Sequence, residues 1–263
     1  MSSGRAHEQR AVVRVGRDDL HVERRVRDVG PLHGRRARVG RRDVQLRLSP
    51  HRDHGRARVN PSSNFQDFLQ RQGAIATRFH DADPSTPVGP ELLGTYDIVI
   101  VDQLLRGYSA DESTALRTWV EAGGGLVVLT GHTRSVGHVH NTLLQSFSVS
   151  YNANNLISGP ATLLRHPLTL AESGDVLPPV TFLGGYHVGE GPGAPAGLVP
   201  FATVADMPVG LAGPVGMGRV VFWGDEWIEF DSEWGTMPAI TRLWFNIVRW
   251  TKPDPDIAPR CGD

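Results

Sequence analysis

The sequence predicts an α/β protein in which buried strands alternate with helices first and antiparallel hairpins follow towards the C-terminus. Three features carry this prediction. The runs "DIVIV" and "LVVL" are almost wholly apolar, as strands covered on both faces are. Between them, "SADESTALRTWVEAGGG" carries helix signals at each end. Further on, "FATVA", "PVGLAGPV" and "GRVVFWGD" follow one another across short turns, the pattern of hairpins.

In chain order, "NFQDFLQRQGA" sets Phe65, Phe68 and Leu69 on one helical face, with Ser63 or Asn64 as cap and Gly73 as stop. "AIATRF" is a short strand. "PELLGTYDIVIVDQL" is a helical turn followed by a strand from Tyr96 to Val101. Ser109 caps the next helix, with Glu112 placed to complete a capping box. Acids fill its first turn, where they meet the positive helix end, and glycines terminate it. Leu116, Trp119 and Val120 form its buried stripe. "LVVLT" is the next strand, and it runs into a small-residue corner: Thr130, Gly131, His132, Thr133. Beyond it, "HNTLLQSF" reads as a helix, "VSYNANN" as a strand and turn, and Val180 to Phe182 as a strand. The last helix, "PAITRLWFNIVRWT", presents Ile240, Leu243, Trp244, Ile247, Val248 and Trp250 on one broad face.

A net charge of −1 over 263 residues conceals a division. Residues 1–58 hold 16 Arg, no Lys and 7 acids, a charge of +9, which leaves −10 for the rest. Every Phe, Trp and Tyr lies at or after Phe65. The organisation read from this is an arginine-rich segment at 1–58, an α/β domain at 59–252 and a flexible tail at 253–263. Three readings fit the first segment. It is a disordered tail, since it can bury little. It is a GC-rich gene translated from another frame or start, which yields Arg, Gly, Val, Asp and His without aromatics. Or it is a basic arm for nucleic acid, the one condition under which a nucleic-acid partner is expected. Cys261, the single cysteine, excludes an intramolecular disulfide and a cysteine metal cluster. No apolar run approaches the ~20 residues of a membrane span, and no secretory core stands near the N-terminus. The expected location is cytoplasmic, with export or the cell envelope as the alternative if a leader is missing. The oligomeric state has no sequence signal.

Four segments, "YDIVIVDQL", "SADESTALRTWVEAGGGLVVLTGH", "RHPLT" and "GRVVFWGDEWIEFDSEW" before a Trp-rich helix, resemble the class I glutamine amidotransferase-like superfamily. The likeness is nearest to its ThuA-like branch and to a group of myxobacterial proteins on that fold. It implies a flavodoxin-like parallel sheet flanked by helices, with a first strand just before the Asn64 helix. "DVQLRLS" and "RARVN" are the segments available for that strand. The resemblance also implies a nucleophile elbow at the corner after "LVVL". Amidotransfer needs a thiolate there, activated by a histidine that an acid orients. The corner has no cysteine, and "VVFWGDEW" offers Asp225 and Glu226 but no histidine. Glutaminase activity is therefore not expected, and the domain reads as a pseudoenzyme.

Ligands in open α/β sheets bind outside the carboxyl ends of the strands. That selects Asp102, Gln103, His132, His187, Trp223, Asp225, Glu226 and Trp227 as the expected ligand-binding residues. "WGDEWIEFDSEW" gathers Asp225, Glu226, Glu229, Asp231 and Glu233 with Trp223, Trp227 and Trp234. Acids beside aromatic faces suit sugars, and paired carboxylates suit glycoside hydrolysis. The plainer reading packs the tryptophans on the last helix and uses Asp231, Ser232 and Glu233 to cap it. His132, His138 and His140, with Asp102, His166, His187, Asp225 and Glu226, are ligand types for zinc or iron. Surface histidines in a polar loop are the simpler account, so no metal and no cofactor is expected. Thr130 or Thr133 beside His132 or His138 could form a threonine dyad, while a Thr130 bonded to a backbone carbonyl is the structural alternative. The leading expectation is a triad-less domain that binds a small polar ligand, a carbohydrate among the candidates, at the strand ends. The first alternative is a hydrolase of sugars or amides, using Asp225 and Glu226 with His132 or His187; its catalytic candidates are His132, Asp225 and Glu226. The second is a structural or interaction domain of a cell-envelope protein.

Overall fold

A computed structural model describes residues 13–15, 44–48, 63–78, 87–102, 104, 106–130, 134–226, 231–234, 237 and 239–252. Along the chain the elements are β1 (Val13–Val15), β2 (Val44–Leu48), α1 (Ser63–Arg71), β3 (Ile75–Arg78), α2 (Pro90–Leu93), β4 (Ile98–Val101), α3 (Ala110–Glu121), β5 (Gly125–Leu129) and α4 (Arg134–Leu144). There follow β6 (Val149–Tyr151), β7 (Ile157–Leu163), β8 (Val180–Gly185), β9 (Val188–Glu190), β10 (Val199–Val204), β11 (Met207–Val215), β12 (Gly218–Trp223), α5 (Asp231–Trp234) and α6 (Ile240–Thr251).

The main sheet has seven strands in the order β4-β5-β12-β11-β10-β7-β8. β4, β5 and β12 run parallel, and each ladder beyond β12 is antiparallel. The alternation of side chains along a strand explains why the parallel runs are apolar throughout. Ile98, Ile100, Val127, Leu129, Val221 and Trp223 face α1 and α6, within one buried cluster. Val99, Val101, Leu126, Val128, Val220 and Phe222 face α3 and α4, within another. Each fully buried side chain of this size contributes about 1.5–3 kcal/mol, so neither face tolerates polarity.

β2 pairs in parallel with β3 and lies beside β4. It falls within "DVQLRLS" but is hydrogen-bonded in a separate sheet with β1 and β3, not in the main sheet. β1 pairs with β2 and β3. Ser109 caps α3 with the full capping box. The hairpins β10–β11 and β11–β12 stand where the sequence sets them.

Two expectations need correction, and two strands went unread. The sheet is mixed and curled into a half-barrel, so the parallel flavodoxin-like description covers only its first part. Asp231 does not cap the last helix. Its residues form α5, and its Oδ1 accepts the Asn64 N–H at 2.7 Å in the first turn of α1. β7 and β9 had no clear sequence signal. β7 carries Gly159 and Pro160 mid-strand, with a register irregularity between Ile157 and Gly159, and such residues ordinarily demote a strand.

The curl closes on the end of β12. Tyr186 N–H donates to the Gly224 carbonyl at 2.8 Å, and Leu183 N–H donates to Asp225 Oδ2 at 2.7 Å. The last strand, β8, thereby returns to β12 without a ladder between them. Phe182, Phe201 and Trp223 fill the enclosed space, with Phe201 stacked on Trp223 at 5.7 Å and Phe182 edge-on to it at 5.6 Å. The two chains meet at glycines. A Cβ on Gly185 would collide with the Gly224 carbonyl, and a Cβ on Gly224 with the Tyr186 carbonyl.

Gly224→Ala is expected to destabilise the fold by about 1–3 kcal/mol or more through this overpacking. Gly107→Ala, at a position with nothing within 4 Å and no positive φ, should stay within about 0.5 kcal/mol of the parent. Urea unfolding of both variants checks the contrast.

Candidate functional site

The acids and the threonine at the strand ends are buried. Asp102 follows β4, Thr130 follows β5, and Asp225 and Glu226 follow β12; each is at most 1% exposed. Asp225 is bonded to the β8 backbone, and Trp223 lies in the aromatic core. Trp234 packs its ring against Phe68 and Phe65 at 5.4 and 6.2 Å. Thr130 Oγ1 is 3.5 Å from Nδ1 of His140, also fully buried. His140 in turn meets the Tyr151 ring edge-on. Tyr151 donates its hydroxyl to the Val128 carbonyl at 3.0 Å. Burial pushes that phenol well above its ordinary pKa, partly offset by a hydrogen bond with the Trp223 backbone. The histidine beside Thr130 is therefore His140 rather than His138.

The open space at this end of the sheet lies a few residues away. A cleft of about 530 Å³ runs between α4, the β6–β9 ribbon and the start of β11. β11 begins where β12 ends, since Gly210 pairs with Trp223, and Tyr151 reaches Val128 near the end of β5. The cleft thus stands over the carboxyl ends of β5 and β12. α4 contributes His138 and Asn141, which its period places on one face. Asn141 is the scaffold: its Oδ1 accepts Tyr151 N–H at 2.7 Å and its Nδ2 donates to the Tyr151 carbonyl at 2.8 Å. One amide side chain does the work of a neighbouring strand along β6. Asn152 N–H donates to the His187 carbonyl at 2.9 Å, which extends the ribbon ladder and sets His187 into the wall. Ser150, Asn152, Asn154 and His138 are exposed there, and His187 is half-buried. Nδ1 of His187 has no partner among the described residues.

Of the expected ligand-binding residues, His187 lines this cleft. Asp102, Trp223, Asp225 and Glu226 are enclosed beneath the strand ends. Gln103, His132 and Trp227 lie outside the described residues, as do Thr133 and Glu229. His166 is occupied elsewhere: its Nδ1 accepts Leu168 N–H at 3.2 Å, and burial pushes its pKa down. Among the described residues no three or more of His, Cys, Asp and Glu gather as a metal site, and no helix is long and apolar enough to cross a membrane. Sequence reasoning passed over Asn141, Ser150, Asn152 and Asn154. The "NANN" run was visible only as a turn, because nothing in it shows which strand pairs beside it.

The loop after Asp102 is held by Glu112. Arg106 grips its carboxylate at 2.6 and 3.0 Å, with the guanidinium over the Tyr108 ring at 4.1 Å. The same carboxylate accepts Val88 N–H and Ser109 N–H, each at 3.0 Å. The Arg106 hydrogen bonds, aided by the backbone donors and opposed by burial, lower its pKa from 4.5 to about 2.

Solved structures share this fold at low identity. A cytoplasmic protein of Salmonella typhimurium LT2 is similar at 14% identity and a TM-score of 0.58, over 80% of this chain and 98% of that one. The mmIFT52 N-terminal domain is similar at 12% identity and a TM-score of 0.58, over 81% and 98%. A ThuA-like protein from Bacteroides uniformis aligns at 17% identity and a TM-score of 0.47, over 79% and 90%. No family model and no curated protein matches the chain.

Because the folded pKa of Glu112 is depressed, its contribution is present above the ordinary carboxylate range and is lost as pH falls from 4.5 towards 2. The shift corresponds to roughly 3 kcal/mol. Glu112→Gln should be less stable than the parent at neutral pH and should lose less stability across that acid window. Thermal unfolding of both proteins as a function of pH reads this out.

Proposed function

We propose that the chain is a triad-less member of the class I glutamine amidotransferase-like superfamily, of the ThuA-like branch. In this reading it binds a small polar ligand over the carboxyl ends of its parallel strands. The ligand occupies the cleft between α4, the β6–β9 ribbon and the start of β11. One observation carries the reading: Ser150, Asn152, Asn154 and His138 line this cleft as exposed polar residues, whereas the acids at the strand ends are buried. Its volume of about 530 Å³ falls within the range of small-molecule sites. Thr130, at the end of β5, is enclosed beside His140. The hydrolase alternative finds no support in Asp225, whose Oδ2 is spent on Leu183 N–H.

Ligand-observed saturation-transfer NMR with a panel of sugars, amino acids, dicarboxylates and sugar phosphates tests the proposal. Binding of at least one compound at millimolar concentration is expected, with loss in Ser150→Trp, which fills the cleft from an exposed strand position. A compound that binds this variant as well as the parent, or a panel with no binder, contradicts it. Glutamine should release no ammonia with either protein.

A further inference from the structure

We infer that the cleft takes an uncharged, polyhydroxylated ligand, a sugar or polyol, and discriminates against charged molecules of the same shape. This rests on the cleft being the binding site. Of the tryptophans and acids through which the sequence pointed to sugars, the fold buries Trp223, Asp225, Glu226 and Glu233, and none of these four lines the cleft.

Besides Asn141, the polar residues that line the cavity among the described residues are His138, Ser150, Asn152, Asn154 and His187. Each is amphoteric: a hydroxyl, a primary amide or a neutral imidazole both donates and accepts hydrogen bonds. A sugar hydroxyl has the same double character, so any rotation of it finds a partner. Asn141 adds nothing to this set, because both ends of its amide are bonded to the Tyr151 backbone. His187 lines the cleft as a half-buried residue, with its Nδ1 enclosed and without a partner among the described residues.

Among the described residues that line the cleft there is no Lys, Arg, Asp or Glu. Recognition of phosphate or carboxylate ordinarily recruits an arginine fork or another fixed positive charge, and an ammonium calls for a carboxylate. A charged ligand would lose hydration without a counter-charge, which is costly. The rim also has an apolar side, with Met207 42% exposed beside Pro208. The C–H face of a pyranose or cyclitol ring can rest there while its hydroxyls reach the amides and imidazoles.

The test is a ¹H–¹⁵N NMR titration of the full chain at pH 8 with matched probes. Cellobiose, glucose and myo-inositol are the neutral set; glucuronate, glucosamine and glucose 6-phosphate are the charged set. The inference expects at least one neutral probe to shift the Ser150, Asn152 and Gly189 amides, with charged counterparts at least about tenfold weaker, a difference of roughly 1.4 kcal/mol. His187→Ala should weaken the neutral probe while leaving the spectrum outside the cleft unchanged. If charged probes shift those amides as strongly or more strongly, the ligand class is wrong and the binding site stands. If no probe of either kind shifts them, the ligand class is overturned, and the panel screen against Ser150→Trp decides the site separately.

Discussion

The contact that organises this molecule is the return of β8 to the end of β12. A mixed sheet of seven strands has two edges, and here one edge folds back to meet the interior strand. Two hydrogen bonds make the junction, Tyr186 N–H to the Gly224 carbonyl and Leu183 N–H to Asp225 Oδ2. They satisfy backbone donors that an edge strand would otherwise present to water or to another chain. The junction requires glycine on both sides, and it encloses the Phe182–Trp223–Phe201 stack. A buried hydrogen bond contributes roughly 0.5–1.5 kcal/mol net, enough to matter against the marginal stability of a domain.

The proposed function rests on where this junction falls. In an open α/β sheet the carboxyl ends of the strands are the natural ligand site. By folding β8 over the end of β12, the chain seals Asp225 and Glu226 beneath it. Tyr186 leads directly from that junction into β9, whose pairing with β6 forms one wall of the cleft. Asn141 anchors the same ribbon to α4, the helix that follows the elbow. The device that removes the acids from solvent thus also builds one wall of the cleft beside them.

The parts of the fold that local chemistry specifies were legible in the sequence. The capping box of Ser109 and Glu112, the buried runs of β4 and β5, the hairpins and the stripe of α6 all stand as read. What escaped reading depends on contacts between distant residues. Gly159 and Pro160 hide β7, whose place is settled by its two neighbours. Asp225 looked like a catalytic acid because no local pattern reveals a partner 42 residues away at Leu183. Asp231 looked like a cap for the following helix, yet its partner is Asn64, at a separation of 167. In the candidate site, His187 is the residue that the sequence reading and the cleft lining share. The asparagines of the "NANN" turn were missed because their value comes only from the ribbon that displays them.

The central claim is that the Asp225 carboxylate belongs to the structure and holds β8 closed. Native-state hydrogen exchange of the Leu183 amide tests it most directly. That amide belongs to an exposed residue of the last strand in the sheet. The account predicts that it exchanges as slowly as the amides of β12, and that Asp225→Ala accelerates it ahead of the amides in β5. Exchange at the rate of an unpaired edge-strand amide in the parent protein, unchanged by that substitution, would contradict the account.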